Sequence, residues 1–376
     1  MNALRSAAVL MLVLACTGCG HVIRGEFAPN HPGKAYNFRH PGCSPAPRPP
    51  EPGGDEVLLR YLGAGGLYLE WRGAALLTGP FFSNRNPFTV QFGRLRTDAR
   101  AVQRGFDGMQ LGEVRAILVG HAHYDHLGDV PDVAREYSPQ ARIYVNQSGA
   151  NALKGFPVLE GRVVPLQAKS DDWIRLTDGD GRLLPIRFRA VESAHAPQLW
   201  RYHWGAGEIE EEWTEEWGSR KTRALHEGKT FAFVIDLLEG DAAETVRFRI
   251  YYQDAAAPAG VGQPAFEESD AHPYDLAVLC MASFRFVKDH PQSILGRLHA
   301  RHVLVTHYED FFRGPGKPLR FVFPMPSRWA NDFLTRVDDT LSGALAGPQG
   351  SVCGPSSPAA TMPLPGEWLQ FQASPR

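Results

Sequence analysis

The feature that most narrows the possible folds is a short apolar run, Ala116-Ile117-Leu118-Val119. It stops at Gly120 and is followed at once by His121-Ala122-His123-Tyr124-Asp125-His126. A run that is apolar at every position reads as a strand covered on both faces, so the chain needs a sheet with layers on either side. The polar residues begin where that strand ends, the place where a sheet-based fold carries its site on loops. In an extended loop alternate side chains point the same way, so His121 and His123 face one position. The turn that follows swings Asp125 and His126 toward a second. Imidazole and carboxylate at this spacing are ligand types for zinc, iron or manganese. A merely solvated loop has no need of four such groups directly after a buried strand.

The surrounding pattern agrees with a layered sheet protein. Val57–Leu62 and Leu67–Trp71 flank the turn Gly63-Ala64-Gly65-Gly66, and Ala74–Leu77 completes an antiparallel meander. A helix is expected over 130–137, with Asp129 as its N-cap and Pro131 in its first turn, and another near 147–154. Arg142–Val145 is a strand between them. Further on, Leu184–Val191 alternates as a strand, and Thr230–Leu237 and Thr245–Tyr252 form a pair around Glu239-Gly240-Asp241. Leu276–Met281 and Val303–Val305 read as buried strands, with helices over 291–299 and 327–343. Many short strands with interspersed helices imply two sheets packed face to face, helices outside. Residues 198–228 carry Trp200, Tyr202, Trp204, Trp213 and Trp217 among a run of glutamates. They read as an insertion, either a lid over a site or a helical hairpin on the surface. Pro363–Phe371, with Trp368, is either a last strand or a loose tail. With 39 Lys+Arg against 41 Asp+Glu there is no basic excess for a nucleic-acid surface. The alternation Arg247-Phe248-Arg249-Ile250 reads as a half-exposed strand.

The ends speak to compartment. Residues 1–15 read as an export signal, with Arg5 ahead of the apolar run Ala7–Ala15, which is shorter than the roughly 20 residues a membrane span needs. Val13-Leu14-Ala15-Cys16 resembles the lipobox of bacterial lipoproteins. That resemblance implies a lipid on Cys16, with Cys19 a second position for it. It also implies an exported protein anchored on the periplasmic side of a membrane, with the outer one favoured because Thr17 rather than an aspartate follows Cys16. Residues 16–54 form a Pro-rich tether and residues 346–376 a Pro/Gly-rich end. Export permits disulfides, so Cys43 and Cys353 either pair or stay free. Cys280, inside an apolar run, reads as a buried thiol.

His-x-His-x-Asp-His after a strand resembles the metallo-β-lactamase superfamily, nearest in layout to its phospholipase-D-like and lactonase branch. The resemblance implies an α/β (α+β) fold, a four-layer αββα sandwich over residues 55–345 with 198–228 inserted. It also implies further ligands at later strand ends. His195 follows the strand 184–191, Asp254 ends the strand 245–252, and His307 follows 303–305. On the family's pattern His121, His123 and His195 would hold one ion, Asp125, His126 and His307 a second, and Asp254 would bridge. The implied cofactors are two divalent ions, zinc first, with manganese or iron also compatible. Asp125 and Asp254 are the expected catalytic carboxylates. A metal-activated water would attack a phosphodiester, lactone or ester, small or lipid-like. The alternative is a tethered binding or assembly lipoprotein that keeps the fold without turnover. This chain departs from the pattern in three places. Relatives carry a His where Gly63-Ala64-Gly65-Gly66 stands, an Asp-Pro where Thr78-Gly79-Pro80 stands, and a Gly at Gln253. Glu309 and Asp310 are read either as replacements supporting the ligands or as exposed loop charges. His203, His226, His272, His290, His299 and His302 are read as surface or satisfied core histidines.

Overall fold

The computed structural model describes residues 37–38, 53–167, 172–198, 202–265, 274–314, 319–323, 325–342 and 360–373. Cys16, Cys19, Cys43, Cys353, Trp200 and His272 lie outside them, and so do the export signal and the lipobox. The first half runs through β1 (Asn37–Phe38), β2 (Glu56–Gly63), β3 (Gly66–Trp71), β4 (Ala74–Thr78), β5 (Val114–Leu118), β6 (Arg142–Val145) and β7 (Val163–Pro165). The second half adds β8 (Ile174–Thr177), β9 (Leu183–Ser193), β10 (Thr230–Leu238), β11 (Val246–Tyr252), β12 (Leu276–Cys280), β13 (His302–Thr306), β14 (Ala360–Met362) and β15 (Trp368–Gln372). One sheet has the order β15-β2-β3-β4-β5-β6-β7 and the other β1-β14-β13-β12-β11-β10-β9-β8.

Alternation along the strands places the layers. Val57, Leu59, Tyr61, Leu67, Leu69, Leu76, Ala116 and Leu118 share a core with Ile186, Phe188, Phe233, Ile235, Phe248 and Ile250 of the facing sheet. Their neighbours Leu58, Tyr68, Leu77, Ile117, Val119, Ile143 and Val145 point the other way. They meet Val130, Val133 and Ala134 of α4 and Ala150 and Leu153 of α5. Here α1 is Pro87–Phe92, α2 Ala99–Gly105, α3 Tyr124–Leu127, α4 Val130–Glu136 and α5 Gln147–Leu153. α6 (Gln292–Leu298) and α7 (Ser327–Ser342) cover the second sheet with Leu295, Leu298, Phe333 and Val337. Each strand of period two thus buries both faces, which is why its sequence reads as continuously apolar. The result is the expected αββα sandwich. Trp71 Nε1 donates to Leu238 O across the two sheets at 2.8 Å.

Asp129 is the N-cap of α4 as expected, but its side chain makes no cap bond. Its carboxylate instead accepts from Phe82 N at 2.7 Å and Ser83 N at 2.8 Å, tying the loop after β4 to the motif. Arg249 is not half-exposed. It pairs in register with Asp236 of β10, and its Nε and Nη2 donate to that carboxylate at 2.6 and 2.9 Å in the interior. The insertion is no helical hairpin, because it contains only the 3-10 turns Trp217–Ser219 and Thr222–Ala224 among the described residues. Trp213 and Trp217 are buried in the outer core, where Trp217 meets Phe156 with ring centroids 5.1 Å apart. The C-terminal segment docks: β15 pairs antiparallel with β2. No helix among the described residues is long and apolar enough to cross a membrane.

Candidate metal centre

β5 ends at Leu118, and the chain then passes through Gly120 into the motif. His123 is the residue before α3, extended at φ −66° and ψ 157°, so the backbone turns immediately after it. That turn separates the two pairs of side chains as the spacing predicted. His121, His123 and His195 form one group whose ligand atoms all lie within 4.8 Å of one another. His121, His126 and Asp254 form a second on the same criterion, and Asp125, His126 and His307 a third. All seven residues singled out in the sequence therefore converge. Four come from the loop after β5. The other three come from beyond the ends of β9, β11 and β13 in the facing sheet.

Close approach of Gly120 to Asp254 joins the two halves. A Cβ on Gly120 would clash with Asp254 Oδ1. His121 Nδ1 faces Asp254 Oδ1 at 3.2 Å, and His126 Nδ1 faces Oδ2 at 3.4 Å. Asp125 Oδ2 lies 3.3 Å from His307 Nε2 and 3.5 Å from His126 Nε2.

Burial decides the charge states. It pushes His121, His123 and His195 well below the ordinary imidazole range, and each is lowered further by a neighbouring histidine. His126 is held down at about 4 by burial and then by His121. Neutral imidazoles with free lone pairs follow, the form a metal takes. Burial alone would raise the Asp125 carboxyl, but His126 and His307 outweigh it and hold the group well below the usual range. Asp254 is raised, by burial first. His121 Nε2, His126 Nε2 and Asp254 Oδ2 are buried without a hydrogen-bond partner among the described residues. Buried polar atoms are rarely left so. Clustered nitrogen and carboxylate donors of this kind fit a pair of divalent ions.

Other contacts stand at two of the three departures noted in the sequence. Glu309 is buried, not an exposed loop charge. Its Oε1 accepts from Ala64 N at 2.5 Å and its Oε2 from Tyr61 Oη at 2.6 Å, while Tyr61 Oη accepts from His307 N at 2.9 Å. Thr78 Oγ1 accepts from Leu67 N at 2.9 Å, and Tyr252 Oη donates to Gly65 O at 2.8 Å. The first hairpin, where relatives carry a His, is thus held by a carboxylate from beyond β13. Over the ligands lies a pocket walled by Tyr124, Tyr202, Trp204, Phe311 and Phe312, with Arg223 the one Lys or Arg among the described residues that line it. The insertion supplies Tyr202, Trp204 and Arg223, so it is a wall of the site. His203, read as a surface or satisfied core histidine, lies with His195 and Glu227 in a group whose ligand atoms are within 4.8 Å of one another. Glu227 was missed: one glutamate among many in an aperiodic segment carries no spacing signal.

Residues 76–243, from β4 to the turn after β10, match the family described as the beta-lactamase superfamily domain. The chain carries a metallo-β-lactamase superfamily domain. The match spans His121, His123, Asp125, His126 and His195, and Asp254 and His307 follow it on the same fold. The superfamily is one of metal-dependent hydrolases. Among solved structures the chain is similar to Igni18, a metallo hydrolase from the archaeon Ignicoccus hospitalis. The two are 14% identical, over 85% of this chain and 100% of that one, with a TM-score of 0.46. It is similar also to the metallo-beta-lactamase fold protein YhfI from Bacillus subtilis, at 12% identity, 84% and 100% coverage and a TM-score of 0.45. The diiron beta-hydroxylase CmlA from Streptomyces venezuelae is 14% identical over 86% of this chain and 55% of that one, with a TM-score of 0.46. No curated protein matches the sequence.

Proposed function

We propose that this chain is a dinuclear metal-dependent hydrolase of neutral esters or lactones with an apolar body, held at a membrane by a lipid on Cys16. The observation that carries the reading is the convergence of seven ligand-type side chains from both sheets beneath an aromatic pocket. His121, His123 and His195 would hold one divalent ion, Asp125, His126 and His307 the other, with Asp254 between them. Such ions supply a water of lowered pKa and positive charge opposite the developing oxyanion. The chain's own residues do the rest. Asp254 orients His121 through Nδ1 and leaves Nε2 for ligation. Tyr124, Phe311 and Phe312 exclude water and seat an apolar group beside the ligands. The aromatic and aliphatic walls favour an uncharged acyl substrate, with Arg223 the one Lys or Arg among the described lining residues.

The test is turnover by protein loaded with zinc or manganese on a chromogenic ester, a lactone and a phosphodiester, with His123→Ala as control. Acyl hydrolysis that vanishes in the control supports the reading. Phosphodiester turnover alone would replace the substrate class. No turnover on any of them, from protein holding two ions, would favour a binding lipoprotein. For the anchor, Cys16→Ser should move the protein from the membrane to the soluble fraction.

A further inference from the structure

At the edge of the metal centre two buried polar atoms face each other. His123 Nε2 and Glu227 Oε2 are both enclosed, lie 3.8 Å apart and make no side-chain hydrogen bond among the described residues, and the backbone of Gly205 is the other group that approaches His123. Leaving either unpaired in the interior costs its desolvation, so each is the natural partner of the other. The backbone holds them there. Glu227 O accepts from Ala122 N at 2.9 Å, the residue between the two motif histidines, and from Asn146 Nδ2 at 2.6 Å. Glu227 N donates to Gly205 O at 2.8 Å. Gly205, at φ +72°, permits the approach: a Cβ there would stand 2.9 Å from His123 Nε2. The insertion is thus latched to the motif at the point where its carboxylate meets a ligand.

Resting on the two-metal reading above, we propose that Glu227 is the positioning residue for His123. Its carboxylate accepts the Nε2 proton and fixes the tautomer that leaves Nδ1 for the ion shared with His121 and His195. A small rotation of the side chain closes the gap to a charge-assisted bond of about 2.8 Å. Carboxylates that hold a ligating imidazole in this way set its orientation and basicity. The support that relatives draw from an Asp-Pro after the third strand would here come in part from the insertion.

The experiment is a zinc titration of the full-length chain against a chromophoric chelator, for wild type, Glu227→Ala and Glu227→Gln. Nitrogen-15 histidine spectra and the melting of the metal-free proteins accompany it. Wild type should take up two ions. Glu227→Ala should weaken the tighter site by roughly 10–100-fold and lose the Nε2–H signature of His123. Glu227→Gln, which keeps an acceptor oxygen, should weaken it less. Metal-free Glu227→Ala should melt close to wild type, since losing the bond to His123 is offset by no longer desolvating a carboxylate. An affinity within twofold of wild type would overturn the proposal and leave the Gly205 carbonyl as the partner. So would a metal-free protein destabilised in step with the lost affinity, which marks a structural role. Three ions in wild type and two in Glu227→Ala would also overturn it, making Glu227 a ligand with His195 and His203. Wild type that binds no zinc would bring down the two-metal reading as well.

Discussion

Gly120 has no space for a side chain, because even a methyl would press on Asp254 Oδ1. Gly120→Ala should therefore displace the carboxylate between the two ligand groups and weaken metal binding by about tenfold or more, as read by calorimetric titration. Glu309 acts further out. Removing it frees the amide of Ala64 and the hydroxyl of Tyr61, and through Tyr61 the backbone of His307. Glu309→Ala should cost about 1–3 kcal/mol in urea unfolding, since the groups it leaves are buried. His290 gives a pH signature away from the ligands. It is buried with Nε2 bonded to Cys280 O at 3.2 Å, and burial lowers it to about 4. A base whose folded pKa is depressed contributes stability above the unfolded value of 6.5, and that stability is lost as pH falls through the folded value near 4. His290→Gln should flatten the stability profile between these limits by at most about 3 kcal/mol, measured by denaturant unfolding at each pH.

Among the elements, the β10–β11 pair holds a buried ion pair. Asp236 and Arg249 are direct register partners, and Arg187 of β9 also reaches Asp236 Oδ2 at 3.0 Å. Removing one member of a buried pair leaves the other charge stranded. Asp236→Ala should destabilise the protein by about 3–5 kcal/mol, far more than a surface change, with guanidinium unfolding as the measure. The strand was read as half-exposed because Arg247 and Arg249 alternate with apolar neighbours. That pattern suits a solvated face and cannot register a carboxylate waiting on the adjacent strand. The insertion shows the same limit: Trp213 and Trp217 lack a helical period, and their burial follows from packing against Asn151 and Phe156.

For the molecule as a whole, the site is a joint between the two sheets. Four candidate ligands follow β5 in one sheet, and three follow β9, β11 and β13 in the other. Ions bound to the native arrangement alone stabilise it by mass action, by about 2.7 kcal/mol per site at a hundredfold excess over Kd. Stripping metal with a chelator should lower the thermal midpoint, and His121→Ala should abolish most of that difference in a calorimeter. Survival of the full difference in the variant would exclude His121 from the ligands.

The motif, the strands and the chain order of the candidate ligands were legible in the amino-acid order. Burial along a strand or helix imprints a local period, and His121, His123, Asp125 and His126 are neighbours whose facing follows from backbone geometry. His195, Asp254 and His307 were found by resemblance, each at a strand end. Tertiary structure alone brought Glu227 to His123, Glu309 to Ala64, Asp129 to the loop after β4, and Arg249 to Asp236. Those pairings depend on sheet register and on how one layer lies over another. No local period encodes that information, because the same glutamate or arginine reads as a surface charge until its partner is in place.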